Sequence, residues 1–391
     1  MESLIIKPSY VEMFNCIGPQ CSDSCCNDWM ITFDKQSYKR TVGNKQLADI
    51  AKFALTEVKD NESTWAIVNL DEQGACPFLD EKKWCQIHSK AGEDALSYTC
   101  KTYPKRNQII DGHKYMSLYL SCPETARLVL FEDAFQFSAN PSGNNAPAKP
   151  GAPWLEKAYD YSLDLLVNSG LPWQQALLAI GFLIKTATQV KLRQAPLSQL
   201  DSRHQQLSAM AQAGMFSQSY GQIPYTSAPQ NQTFVAIHDA VAKLHSRGIR
   251  DRFSSLNDII NQVCNEQNNY SIEQLNQAWE KGVTKVVTDH DELFTRFILY
   301  SIYHNHFPMD EQHDPEFMLQ QLIIDCFMVR CYLSALYFKQ QTLSQDDIVK
   351  CFQTYHVVRQ HKPKFTDRLK EVLLANNLTS LPAAISLLKT T

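Results

Sequence analysis

Twelve cysteines stand in this 391-residue chain, and eight of them fall within the first 122 positions: Cys16, Cys21, Cys25, Cys26, Cys76, Cys85, Cys100 and Cys122. Even spacing would put fewer than four there. In a reducing compartment such a cluster reads as metal ligands rather than as disulfides. The other four, Cys264, Cys326, Cys331 and Cys351, sit singly in apolar, helical-looking stretches and read as small core hydrophobes.

The run Cys16-x4-Cys21-x3-Cys25-Cys26 is dense enough to complete an all-thiolate zinc site or to hold an iron–sulfur cluster. Adjacent side chains diverge on a helix or a strand, so only one of Cys25 and Cys26 is expected to face a shared metal. The remaining thiols come from afar. Cys76 to Cys85 reads as a tight hairpin that sets its two ends side by side, and Cys122 precedes a proline, which fixes a turn. His88 is a further ligand candidate if the metal is zinc. Spacing leaves zinc and iron both open.

Glycine narrows the alternatives. There are 13, and no Gly-x-Gly occurs, so neither a dinucleotide loop nor a P-loop is present. With 37 basic and 41 acidic residues the net charge is −4, which gives no basic field for nucleic acid or an anionic membrane. The longest unbroken apolar stretch, Ala176 to Ile184, is far short of the roughly 20 residues that span a bilayer. With no basic, cleavable leader at the start, a cytoplasmic location is expected.

The pattern changes along the chain. Up to residue 137, short apolar runs alternate with turn signals. Trp29 to Phe33 and Trp65 to Val68 read as strands, and Asn107 to Leu120 as a hairpin turning at Asp111-Gly112. Residues 138–153, rich in Pro, Gly and Asn, read as a linker. From 154 to 391 the pattern is helical. Pro172 opens one helix, Asp314-Pro315 another, Ser344 with Asp347 a third, and Ser271 with Gln274 forms a capping box. Residues 201–232, rich in Gln and Ser with little periodicity, read as a mobile loop. The expected fold class is α+β: a small cysteine-rich metal-binding domain with short strands (1–137), then a mainly α-helical domain.

These residues resemble a known family. Pro8-Ser9-Tyr10-Val11, Phe14-x-Cys16, the thiol run ending before Trp29, Cys76-Pro-Phe-Leu, Cys85-x-Ile-His88, Leu96-Ser-x-x-Cys100-x-x-Tyr103-Pro104 and Leu120-Ser-Cys122-Pro-Glu are similar to the bacterial flagellin lysine-N-methylases. Phe297, Tyr300 and His306-Phe307-Pro308 extend the likeness. The cysteine pattern also resembles a broader zinc- or iron-chelating cysteine-rich family. The first resemblance implies methyl transfer from S-adenosylmethionine to flagellin lysines, with a [4Fe-4S] cluster on the N-terminal cysteines and flagellin as protein partner. The second implies a non-catalytic zinc- or iron-binding module as the alternative. Radical S-adenosylmethionine enzymes use Cys-x3-Cys-x2-Cys; here the third position falls on Asp28, which departs from that pattern.

Polar methyl transfer requires a neutral amine. A free lysine, with pKa near 10.4, is about one part in a thousand neutral at pH 7.4. Candidates to contact the amine or the donor are Asp28, Tyr103 and Arg106, with Asp23 and His113 behind them; the catalytic residues stay unassigned. His304 and His306 read as helix-end histidines facing free carbonyls. Oligomeric state has no signature in the sequence.

Overall fold

The computed structural model describes residues 3–27, 30–72, 74–142, 151–245, 251–263, 272–287, 289–309 and 314–391. Its described strands are β1 (Leu4–Pro8), β2 (Thr32–Phe33), β3 (Leu55–Glu57), β4 (Ala66–Val68), β5 (Lys105–Ile110), β6 (His113–Leu118) and β7 (Phe137–Pro141). They form two small sheets, ordered β5-β6-β1-β7 and β2-β4-β3. Short helices α1 (Ser9–Met13), α2 (Lys35–Gly43), α3 (Ala48–Ala54), α4 (Gln86–Ala91), α5 (Tyr98–Thr102) and α6 (Pro123–Phe131) lie between the strands.

The helical remainder comprises α7 (Pro153–Val167), α8 (Trp173–Lys191), α9 (Ser198–Gln212), α10 (Met215–Gly221), α11 (Ser227–His245), α12 (Asp251–Val263), α13 (Ile272–Ala278) and α14 (Thr284–Val286). It continues through α15 (His290–Asn305), α16 (Pro315–Gln340), α17 (Gln345–His361), α18 (Pro363–Ala375) and α19 (Leu381–Ser386). The fold is α+β, as expected.

Local signals act where they were read. Asp111 and Gly112 take φ of 53° and 85°, and β5 and β6 pair on either side of them from Ile110↔His113 to Lys105↔Leu118. Two positive φ values are what a two-residue hairpin turn requires. The Asp314 side chain accepts from Phe317 N at 2.7 Å ahead of α16, and Ser344 with Asp347 forms a reciprocal capping box ahead of α17. Ser271 of the other expected box, Trp29, Cys264 and residues 143–150 of the expected linker lie outside the described residues.

Two cores form, and they do not divide at the expected linker. The small one gathers Ile31, Phe33, Leu47, Ala51, Ala66, Phe78 and Ile87 around the three-stranded sheet. The large one joins Tyr10, Leu118, Leu120 and Val129 to the helices from Leu155 to Leu388. The four-stranded sheet and α6 thus belong to the helical body. The cysteine-rich unit is an excursion between α1 and β5 rather than everything before residue 138. The linker expectation is also corrected at its start: residues 138–141 belong to β7, which pairs antiparallel with β1 from Leu4↔Pro141 to Pro8↔Phe137. A polar, proline-containing edge strand carries no alternation to announce it.

The expected mobile loop at 201–232 is overturned. Its residues lie in α9, α10 and α11, where Leu200, Leu207, Ala211 and Phe216 are buried. So few apolar anchors leave a helix polar on most of its surface, which sequence periodicity reads as loop. Helix α16 is long and apolar enough to cross a membrane by length and composition. However, 89 % of its most apolar window is buried inside the molecule, among neighbouring helices that include α8, α12, α13 and α17.

Candidate metal centre and adjoining cleft

The thiol segments are shaped by turns. Gly18 takes a left-handed φ of 55° and opens a single 3-10 turn in which Cys21 N donates to Gly18 O at 3.0 Å, folding Cys21 back toward Cys16. The face of Gly18 is covered by the Trp84 ring, so a Cβ there would lie 3.0 Å from Trp84 Cζ3. Cys26 O accepts from Cys76 N at 2.9 Å, tying the first segment to the second. Asp80 Oδ1 accepts from Lys82 N (2.9 Å) and Trp84 N (2.8 Å), and Leu79 bridges Cys85. The expected turn is present but closes on Leu79 and Cys85, so it does not pair Cys76 with Cys85 as expected.

Two cysteines start helices. Cys85 precedes α4 and Cys122 precedes α6, the latter with Pro123 in the first turn. Neither side chain caps its helix with a hydrogen bond, but the nearby amides of Ile87 and His88 act to lower the Cys85 pKa, and those of Glu124 and Thr125 that of Cys122. A helix start offers unpaired N–H groups and positive potential, which favour a thiolate. Burial opposes them and wins: it pushes the Cys100 and Cys122 thiols up to about 12 and raises Cys76 and Cys85 as well. A bound cation supplies the compensating charge that turns buried thiols into thiolate ligands.

Six of the eight thiols line one cavity of about 150 Å3: Cys16, Cys21, Cys25, Cys26, Cys85 and Cys122. Phe14, Ile17, Leu79 and Trp84 form its apolar walls, and Asp23, His88 and Tyr103 also face it. Cys76 and Cys100 stand in the small core beside Cys26 and Cys85, whose charges act on both. Cys25 and Cys26 lie in a turn and both line the cavity, Cys26 also packs against the small core, and a hydrogen bond between them raises the Cys25 pKa and lowers that of Cys26. Among the described residues no three Cys, His, Asp or Glu groups stand close enough to hold a single ion as they are. The cavity is many times the roughly 10–15 Å3 that one water needs on the same measure. Six sulfurs around a space of that width suit a thiophilic metal such as zinc or iron.

Beside it lies a polar cleft that the sequence did not announce. Arg106, Tyr119, His304, Asp325, His356, Arg359, His361 and Lys362 line a space of about 440 Å3 between the β5–β6 hairpin and helices α15 to α18. Asp325 is buried; its Oδ1 accepts from Tyr355 Oη at 2.6 Å and Arg359 Nε at 3.0 Å. Burial lowers the His356 pKa to about 4 and His304 well below the usual imidazole value, so both are neutral. The two spaces are joined by hydrogen bonds: Tyr103 Oη to Ser121 Oγ (3.1 Å) and Ser121 Oγ to His361 Nε2 (2.8 Å).

The expected contact residues therefore divide. Tyr103 and Asp23 face the thiol cavity, where Asp23 Oδ2 accepts from Gln353 Nε2 at 2.6 Å. Arg106 faces the cleft and donates to His304 O at 2.8 Å. Asp28 lies outside the described residues. The His113 Nδ1 atom accepts from Leu4 N at 3.1 Å, a sheet contact away from both spaces. His304 stands in the last turn of α15, as expected, but is buried and its Nδ1 meets Ser117 Oγ at 2.8 Å rather than a free carbonyl. His306 caps α15 with φ 49° and stacks on Tyr159 at 4.7 Å. Asp325, His356, Arg359 and His361 were missed because no local motif marks them.

Comparison with known proteins agrees with this geometry. The model of the FliB lysine N-methylase C-terminal domain matches residues 159–387. The chain belongs to that family. A putative zinc- or iron-chelating domain matches residues 15–123, the stretch that carries the eight thiols. Proteins named lysine-N-methylase from Salmonella choleraesuis and Salmonella typhimurium are each 27 % identical to this FliB-family chain over 376 residues, 92 % of either partner. The flagellar biosynthetic protein FliU of Salmonella muenchen is 36 % identical over 137 residues, covering 34 % of this chain and 81 % of FliU. No solved structure matches.

Proposed function

We propose that this chain transfers methyl groups from S-adenosylmethionine to lysine side chains of flagellin, and that its thiol cavity holds a [4Fe-4S] cluster. One observation carries the reading: six sulfurs from three separate segments surround one cavity, beside a polar cleft, in a chain that matches proteins named lysine-N-methylase over 92 % of its length.

The cluster's ligands, at most four thiolates, would be drawn from Cys16, Cys21, Cys25, Cys26, Cys85 and Cys122, with Cys76 and Cys100 behind them. With three thiolates bound, a cluster there would supply one iron able to take another ligand. The apolar walls Phe14, Ile17, Leu79 and Trp84 exclude water, and a lysine amine entering such surroundings loses its proton more easily. The nitrogen lone pair then attacks the methyl carbon, the C–S electron pair stays on sulfur as a neutral thioether, and the ammonium proton leaves to water. Holding the reacting atoms about 3–3.5 Å apart accounts for about 7–11 kcal/mol of the barrier.

Co-expression with flagellin and intact-mass analysis test this reading. Increments of one methylene mass on flagellin are expected, and their absence with metal-loaded protein overturns it. Iron and sulfide in anaerobically purified brown protein support the cluster; colourless, zinc-loaded protein overturns it and leaves a zinc-stapled fold.

A further inference from the structure

The 440 Å3 cleft continues into a second space of about 200 Å3, and Arg106, Asp325 and Arg359 line both. Together they match the size of small-molecule sites. Its charges are incompletely paired. Arg106 donates to His304 O, to the Gln108 amide oxygen at 2.8 Å and, at 3.4 Å, to Asn305 Oδ1, and among the described residues it meets no carboxylate. Lys362, between α17 and α18, likewise has no carboxylate partner among the described residues. Asp325 is the one carboxylate in the walls of either space among the described residues; its Oδ2 takes only a 3.1 Å bond from Arg359 Nε there.

Gln321 gives an independent sign. It is 7 % exposed and lines the second space; its Oε1 accepts from Arg359 Nη2 at 3.1 Å, while its Nε2 has no partner. A buried N–H without an acceptor is costly, and native structures leave few of them. The donors and the one carboxylate edge ask for a ligand with acceptor oxygens and a neighbouring cation.

We propose that this cleft binds the α-amino-acid end of a small molecule, with the carboxylate on Arg106, Lys362 and Gln321 Nε2 and the ammonium on Asp325 Oδ2. The inference rests on the methyl-donor reading above, under which the molecule is S-adenosylmethionine. It places the donor's recognition on protein groups outside the thiol cavity. Tyr119 and His361, whose rings lie 4.8 Å apart, give the rest of the molecule an aromatic wall on the side toward the sulfurs.

Calorimetric titration of the anaerobically purified, metal-loaded chain tests this. The probes are S-adenosylhomocysteine and methylthioadenosine, which is the same molecule without its amino-acid end. The wild type is expected to bind the first more tightly. Lys362→Met and Gln321→Leu each weaken it about tenfold, as the loss of a single charge-assisted or buried hydrogen bond does. Arg106→Gln weakens it further, and none of the three alters methylthioadenosine binding; melting curves confirm that each variant is folded. If the variants bind S-adenosylhomocysteine like the wild type and flagellin is still methylated, the cleft assignment fails and the methyltransferase reading stands. Equal loss for both probes also overturns the assignment. If the wild type binds neither probe and flagellin stays unmethylated, both fail together.

Discussion

Mild acid should weaken this fold through histidines that cannot take a proton where they stand. His238 on α11, His306 after α15 and His356 on α17 are 1 %, 6 % and 3 % exposed, and burial lowers each of them from 6.5 to about 4. The unfolded chain binds these protons near pH 6.5 and the folded chain only near pH 4. The stabilisation is therefore complete above about pH 6.5 and is lost as pH falls from there toward 4. For one such histidine the loss between pH 7 and pH 5 is about 2 kcal/mol, and for the three about 5 kcal/mol. That is comparable with the whole stability of an ordinary domain, about 5–15 kcal/mol. His304, shifted in the same direction, adds to it. Urea unfolding at both pH values measures the difference, with His356→Phe as the informative variant. That ring packs edge-on to Phe297 and Tyr355 at 5.2 and 5.3 Å, so phenylalanine keeps the packing and removes the titration. The variant should lose about 2 kcal/mol less than the wild type between pH 7 and pH 5. Comparing the two also cancels any acid effect on the thiols. An identical pH loss in the variant refutes the reasoning.

Replacing Cys122 or Cys85 by serine should strip most of the bound iron, whereas Cys326→Ser, Cys331→Ser and Cys351→Ser should leave it intact; metal analysis of anaerobic protein decides. Gly18→Ala imposes a left-handed side chain, about 1–2 kcal/mol of strain, and pushes the Trp84 ring off its seat. Faster loss of metal to a chelator is expected, and unchanged release contradicts the role of that turn. Arg330 is 1 % exposed and donates to Leu388 O (2.7 Å), Leu387 O (3.1 Å) and Asn276 Oδ1 (3.1 Å) at the end of α19. Arg330→Met should destabilise by about 3–5 kcal/mol in denaturant titration, while Arg368→Met, in an exposed ion pair, should change little.

What could be read in advance was local. Asp111-Gly112, the Ser344 box, Asp314-Pro315 and the turn before Cys85 each specify their structure within a few residues, and each is where it was expected. The thiols were legible as a group because their number is improbable, although their final neighbours were not. Two contacts were beyond reach for one physical reason. β1 pairs in parallel with β6 across more than a hundred residues, and Asp325 meets Arg359 from a different helix. Neither leaves a periodicity or a motif. The reading of 201–232 as loop failed for another reason: α9 packs on only three buried side chains, Leu200, Leu207 and Ala211.

The parallel pairing of β1 with β6 has a practical consequence. The chain leaves the large sheet after β1, builds the sulfur-rich unit with its own core, and re-enters at the edge strand β5, whose hairpin partner β6 lies beside the strand it left. That unit is a cassette whose two ends are anchored in one sheet. Exchanging residues 15–104 for the equivalent stretch of a relative should transplant seven of the eight thiols, while Cys122, the helical body and the cleft it frames remain those of the recipient.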